Sequence, residues 1–231
     1  MNLARVVRHA AMELRMLLRN GEQLLLAFAI PLGLLVAGLA WGTGFGLDRS
    51  TFPASVIAVA VWSTAFTAVA VATGFERRYG VLERLVATPL TRADLIAGKA
   101  LSACALVTIQ ALLLLTVAGV LGWRPQVSPL AVLSAVAAMA LGIGAFAGLG
   151  LLLAGTLKAE VTLALANLIY LVGLALGGLI VDQPPLLPTA ALGSALRGAA
   201  LGTPAPLPLL VLALWAAALT VIARKAFRWT S

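Results

Sequence analysis

Charge is what this chain has least of. Only 10% of its 231 residues are charged, against roughly 25% in an ordinary soluble domain. With 62% hydrophobic residues and a mean hydropathy of +1.07, it has too little polar surface to cover a globule. Two soluble domains are excluded, and an integral membrane protein remains. Cysteine is nearly missing as well. Cys104 stands alone in an apolar run, which excludes an internal disulfide and a cysteine metal site, and leaves the redox compartment unmarked. The single histidine, His9, falls on a predicted interfacial helix, out of reach of Ser63 and Ser134, so no serine–histidine pair forms. No group of His, Cys, Asp and Glu has metal-ligand spacing. A phosphate-binding loop is also lacking. Gly98-Lys99-Ala100 has neither the upstream glycine nor the following hydroxyl that the motif needs, and no soluble stretch is long enough for a nucleotide domain. Any ATP that powers this protein is bound by another chain. No ionisable residue falls at the centre of a predicted span, which argues against a proton-coupled pathway.

What is present is a series of long apolar runs. About 20 apolar residues cross a bilayer as a helix, and residues 24–41, 54–74, 100–122, 129–157, 161–181 and 207–223 read as six spans. Glu22 and Gln23 sit at the interface before the first, and Pro31 lies inside it. Ahead of them, residues 3–19 place Leu3, Val6, Val7, Ala10, Ala11, Leu14, Leu17 and Leu18 on one face at helical spacing. Arg5, Arg8, Arg15 and Arg19 fall opposite. Asn20-Gly21 supplies a stop, so this helix lies in the headgroup layer. Its length and the lack of a cleavage site separate it from a signal peptide.

The net charge of +8 is dispersed among the spans, which points to lipid headgroups and topology rather than nucleic acid. With the N-terminus inside, Arg5, Arg8, Arg15, Arg19, Arg77, Arg78, Arg84, Arg92, Lys99, Lys158, Arg224, Lys225 and Arg228 are cytoplasmic, and only Arg49, Arg124 and Arg197 are outside. The expected protein is a single multi-pass domain of the plasma (inner) membrane, all-α, with both termini cytoplasmic. The stretch 182–206 is more than a loop. Pro188, Ala191, Leu192, Ala195, Leu196 and Ala199 recur at helical spacing with Arg197 off the stripe, and Pro184, Pro185, Pro204, Pro206 and Pro208 bracket it. A re-entrant or interfacial helix on the outer side fits, and so does a plain surface helix.

Residues 75–99 form a charged island in this apolar chain. A short helix is expected through 76–87, on which Val81, Leu82, Leu85 and Val86 make an apolar arc, with Glu76, Arg77, Glu83 and Arg84 on the other side. Pro89 closes the segment, and Thr91-Arg-Ala-Asp94 reads as a capping box that starts the third span. Pattern alone fits a docking helix or a solvated turn helix.

The run Phe-Glu-Arg-Arg-Tyr-Gly-Val-Leu-Glu-Arg-Leu-Val-Ala-Thr-Pro-Leu-Thr-Arg from Phe75 resembles the cytoplasmic loop of ABC-2 type transporter permeases, including the daunorubicin-resistance-type exporters. Glu76, Arg77, Gly80, Leu82, Glu83, Leu85, Pro89, Leu90 and Arg92 match the pattern. The layout of interfacial helix, six spans and outer helical element extends the likeness over the chain. The resemblance implies a type V exporter-like fold in which 75–99 carries a coupling helix docked on a cytoplasmic ABC ATPase. Glu76, Arg77, Arg78, Tyr79, Gly80, Leu82, Glu83, Arg84 and Leu85 are then the coupling residues, with Leu82 and Leu85 as anchors and the charges orienting the partner. Pro89 and Thr91 would pass motion to the third span. It also implies two ATPase copies that hold ATP and Mg, a second permease copy or paralogue, and outward movement of an amphipathic, drug-like or lipid-like substrate. A haem-exporter-type permease and a membrane assembly factor that transports nothing are the rival readings.

Inside the spans, Gln110, Asn167, Ser63 and Thr67 are the polar candidates. They either line a pathway or hydrogen-bond neighbouring helices. Gly38-x-x-x-Gly42, Gly144-x-x-x-Gly148 and Gly173-x-x-x-Gly177 permit close helix approach, within the chain or between two copies.

Overall fold

The computed structural model describes residues 2–19, 21–86 and 88–227, without the side chains of 22, 23, 26, 43, 45, 86 and 92. The readings placed on Asn20, Ala87, Arg228 and the side chains of Glu22, Gln23, Val86 and Arg92 lie outside the described residues. Among the described residues every regular element is a helix, and there is no strand.

The order is α1 (Leu3–Arg19), α2 (Gly21–Trp41), α3 (Phe52–Trp62), α4 (Val69–Arg78), α5 (Val81–Val86), α6 (Arg92–Val120), α7 (Pro129–Thr156), α8 (Ala159–Leu176), α9 (Pro188–Ala200) and α10 (Pro206–Ala226). A π-helical segment, Ser63–Ala68, joins α3 to α4 into one helix, Phe52–Arg78. That helix, Ala93–Val120, α7, α8 and α10 are each long and apolar enough to cross a membrane, and Ala27–Trp41 is a shorter apolar helix.

The α3–α4 helix is the axis of the bundle, because every residue of α3 is buried. Around the π segment Trp62 stacks on Phe66 with centroids 4.3 Å apart and meets Phe146 of α7 edge-on at 4.7 Å. The Trp62 indole N–H donates to the Tyr170 carbonyl of α8 at 3.3 Å, so one residue ties three helices. α7 and α10 form the most extensive helix pair. Gly148 allows it, since a Cβ there would meet the Leu219–Thr220 backbone at 3.1 Å. Gly38 and Gly173 likewise face Phe52 and Trp62 of the same chain. The glycine pairs therefore serve packing inside the subunit.

Three boundaries differ from the sequence reading. The helix of the second span runs on to Arg78, and α6 starts at Arg92, where the expected capping box puts it and eight residues ahead of the apolar run read from 100. Its start is set by the capping box: the Asp94 N–H donates to Thr91 Oγ1 and the Thr91 N–H to Asp94 Oδ2, both at 3.2 Å. The helix expected through 76–87 is divided within the island, since α4 ends at Arg78, Gly80 turns at φ +68 and α5 begins at Val81. α8 stops at Leu176, where Gly177-Gly178 breaks the chain with Gly178 at φ +73.

α9 is not a plain surface helix. It lies among α3, α7 and α10 at the end of the bundle opposite α1, and most of its residues are buried, Arg197 included. The Arg197 guanidinium donates to the carbonyls of Gly178 and Leu179, to Ser55 Oγ and to Asp182 Oδ1 at 3.0 Å. A buried cation is tolerated only when so satisfied.

Candidate functional site

The candidate site is the charged end of the bundle, where α4, α5 and the start of α6 meet α1. The α4–α5 joint is the turn Tyr79-Gly80. Gly80 takes φ +68, a left-handed value that glycine adopts without steric cost. The turn throws α5 back across the helix ends.

The apolar arc of α5 turns inward. Leu82 is fully buried with Leu95, Ile96, Leu151, Ala223 and Phe227, and Leu85 and Leu90 pack against this small core. This corrects the placement of Leu82 as a partner-facing anchor. An apolar arc on a short helix buries itself against the nearest apolar surface, here the ends of α6, α7 and α10. Glu83, Arg84 and Tyr79 point outward, Tyr79 being 67% exposed. The Arg78 guanidinium carbon lies 5.9 Å from the Tyr79 ring centroid, and Phe75 stacks on the same tyrosine.

Glu76 and Arg77 are not on the outer face either. Glu76 Oε2 accepts from the Lys99 ammonium at 2.7 Å, and Lys99 also donates to Glu13 Oε1 of α1 at 2.9 Å. Lys99 and Glu13 are buried. Arg77, 8% exposed, donates to the carbonyls of Ala154 and Leu157 at 2.9 Å, at the end of α7. Guanidinium is the group suited to reach two such acceptors at once. Arg78 pairs with Glu160 in the first turn of α8.

α1 closes the site. Its buried stripe is Val6, His9, Ala10 and Glu13, while Leu3, Val7 and Leu18 of the expected apolar face are exposed. The ring of His9 occupies the space above Gly98 of α6, where a Cβ would meet it at 2.5 Å. Burial pushes the His9 pKa below the ordinary imidazole value. The Lys99 charge pushes the same way, and Glu13 opposes both. Asp94 accepts from the Asn2 N–H at 3.0 Å, and Arg5 donates to the Pro89 carbonyl at 2.6 Å. Between α1 and the turn after α5 a notch of about 250 Å³ opens, bordered by Arg5, Arg8, Met12, Leu85, Pro89 and Leu90.

Sequence reasoning missed Glu13 and took His9 for a surface residue. The readable signal was that Val6, His9, Ala10 and Glu13 fall at i, i+3, i+4 and i+7, one helix face.

A second constellation lies midway along the bundle. Ser63, Thr67 and Asn167 are brought together, with Thr64, on an open groove of about 510 Å³. Its walls include Leu24, Ile30, Val71, Phe75, Leu106 and Leu163. Ser63, Thr64 and Thr67 sit on the π segment, a geometry frequent at functional sites. Thr67 Oγ1 is buried without a hydrogen-bond partner among the described residues. Gln110 is separate from this lining. It accepts from Thr64 Oγ1 at 2.9 Å and donates to the Ala27 carbonyl at 2.9 Å, so it joins α2, the π segment and α6.

The sequence model of the ABC-2 type transporter family matches residues 10–193. The chain belongs to the ABC-2 type transporter family. No curated protein matches it. The ABC-2 match spans α1 to α9 apart from the first residues of α1 and the last of α9, and so covers the groove residues and Glu13, Glu76, Arg77, Arg78 and Lys99, while Arg5, Arg8, His9 and Phe227 lie outside it. It makes this multi-pass membrane protein the permease subunit of an ABC transporter, and it implies an ABC ATPase as partner.

Proposed function

We propose that this ABC-2 permease works as an exporter, as one of two permease copies or paralogues served by two ATPase subunits that hold ATP and Mg. The α1–α5 end faces the cytoplasm, as its excess of basic residues favours, with both termini on that side of the plasma membrane. The ATPase docks on the outer face of the α4–α5 turn. The observation that carries this reading is the exposed set Tyr79, Glu83 and Arg84, held rigidly by the buried Leu82 beside a notch rimmed by Arg5 and Arg8. A rigid aromatic flanked by charges of both signs suits a docking centre.

The substrate travels along the groove of Ser63, Thr64, Thr67 and Asn167. Its hydroxyls and amide lie among aliphatic walls, with no charged residue among the described residues of the lining, which suits an amphipathic or lipid-like molecule. The exposed apolar face of α8, with Leu163, Leu168, Leu171 and Val172, flanks the groove and faces the second permease. Co-purification tests the docking. Tyr79→Ala and the double reversal Glu83→Lys, Arg84→Glu are expected to lose the ATPase, whereas Ser63→Ala and Asn167→Ala keep it and lower transport. Retention of the ATPase by both docking variants contradicts the reading.

A further inference from the structure

We propose that Glu76, Arg77 and Arg78 form a clamp through which movement of α5 reaches the rest of the bundle. The proposal rests on the reading of the α4–α5 turn as the ATPase dock. It assigns to these three residues transmission rather than contact with the partner.

Consecutive residues of an α-helix point about 100° apart, so three in a row reach three sides. Here each side holds a different helix. Glu76 binds Lys99 of α6, and through it Glu13 of α1. Arg77 binds two carbonyls at the end of α7. Arg78 binds Glu160 at the start of α8. The last turn of α4 therefore holds α1, α6, α7 and α8 by polar contacts, and only the two residues Tyr79 and Gly80 separate it from α5.

The other routes are the turn at 88–91, which leads into α6 and is fastened to α1 where Arg5 donates to the Pro89 carbonyl, and the Leu82 side chain, whose apolar contacts reach the ends of α6, α7 and α10. The clamp addresses four helices at once, and its hydrogen bonds to Glu76 and Arg77 are sheltered from water, where they resist screening. Glu76 and Arg77 are turned away from the face that Tyr79, Glu83 and Arg84 present. Their loss therefore separates motion from docking.

The test uses the permease–ATPase complex in lipid nanodiscs on a Cys104→Ser background, with spin labels at Val120→Cys and Val181→Cys. Both positions are exposed at the far end of the bundle. The readout is the ATP-dependent change in the label-to-label distance distribution. With Glu76 to Arg78 intact, ATP shifts this distribution. Arg77→Gln is expected to keep the ATPase bound and hydrolysing while the shifted population falls about tenfold, the size of a strong coupling mutation. Arg78→Glu, on the exposed pair, is expected to lower the shift, and adding Glu160→Arg to restore it. That rescue is something a loss of folding cannot give. An unchanged shift in both Arg77→Gln and Arg78→Glu overturns the clamp while leaving the dock standing. Failure of the unmodified chain to bind an ABC ATPase overturns the dock and the clamp together.

Discussion

The two ends of the bundle each bury an arginine, and they use it differently. At the charged end Arg77 donates to the carbonyls of Ala154 and Leu157. At the opposite end Arg197 donates to those of Gly178 and Leu179. Arg77 satisfies carbonyls that the end of α7 leaves open, whereas Arg197 satisfies carbonyls of the non-helical chain just past α8. Arg77, however, has charged neighbours on either side, each bound to a further helix, and an exposed turn two residues beyond. Arg197 sits on a short helix enclosed by the others and pins it to the break after α8. Its one charged partner among the described residues, Asp182, is 83% exposed. The charged end is built as a handle with several attachments, and the opposite end as a fastened plug.

That contrast can be broken at several points. The largest effect is expected at Lys99. Lys99→Met leaves Glu13 and Glu76 facing each other without their cation, and removing one partner of a buried pair costs about 3–5 kcal/mol. Thermal unfolding in detergent is expected to show a clear drop, and Glu76→Gln in the same chain to recover part of it. A smaller loss, about 1–3 kcal/mol for carbonyls left without donors, is expected for Arg197→Met. It falls on the opposite end alone, so proteolysis is expected to reach 177–187 while the ATPase still binds.

Gln110→Leu removes bonds between the two ends. Hydrogen bonds between spans are worth about 0.6 kcal/mol on average and up to about 1.7, and this is the expected range of destabilisation.

Acid is expected to loosen the charged end alone. The folded His9 pKa lies below its unfolded value of about 6.5, so its contribution to stability is complete above that pH. It is lost as the pH falls through the lowered folded value, because the ring must then carry its charge while buried, and beside Lys99. Hydrogen exchange of α1 is expected to rise on acidification, and His9→Gln to flatten that response. The smallest effect on stability is expected for Arg78→Ala, below about 1 kcal/mol for an exposed pair.

The spans and the amphipathic first helix were legible because each is a long run of one periodicity. The capping box at Thr91 and Asp94 was legible from four residues. The direction of α5 was not. An arc of Val81, Leu82 and Leu85 says that the face is buried, and says nothing of whether a partner or the same chain buries it. The depth of α9 was hidden for a related reason, since its Ala/Leu stripe suits a membrane surface and a bundle interior alike. Arg197 lies off that stripe and is buried because carbonyls 18 and 19 residues earlier in the chain come to meet it. The network of Glu13, Glu76 and Lys99 spans 86 residues, and no local pattern announces such a contact. For the groove, the residue types were visible, but the π turn that presents Ser63, Thr64 and Thr67 together was not.

The central claim is that the ATPase meets the outer face of the α4–α5 turn. Hydrogen–deuterium exchange of the permease alone and in complex with its ATPase tests it most directly. Protection is expected at Tyr79–Leu85 and along the adjoining notch at Arg5–Met12, with no change at α9. Protection elsewhere, with the α4–α5 turn exchanging equally in both states, contradicts it.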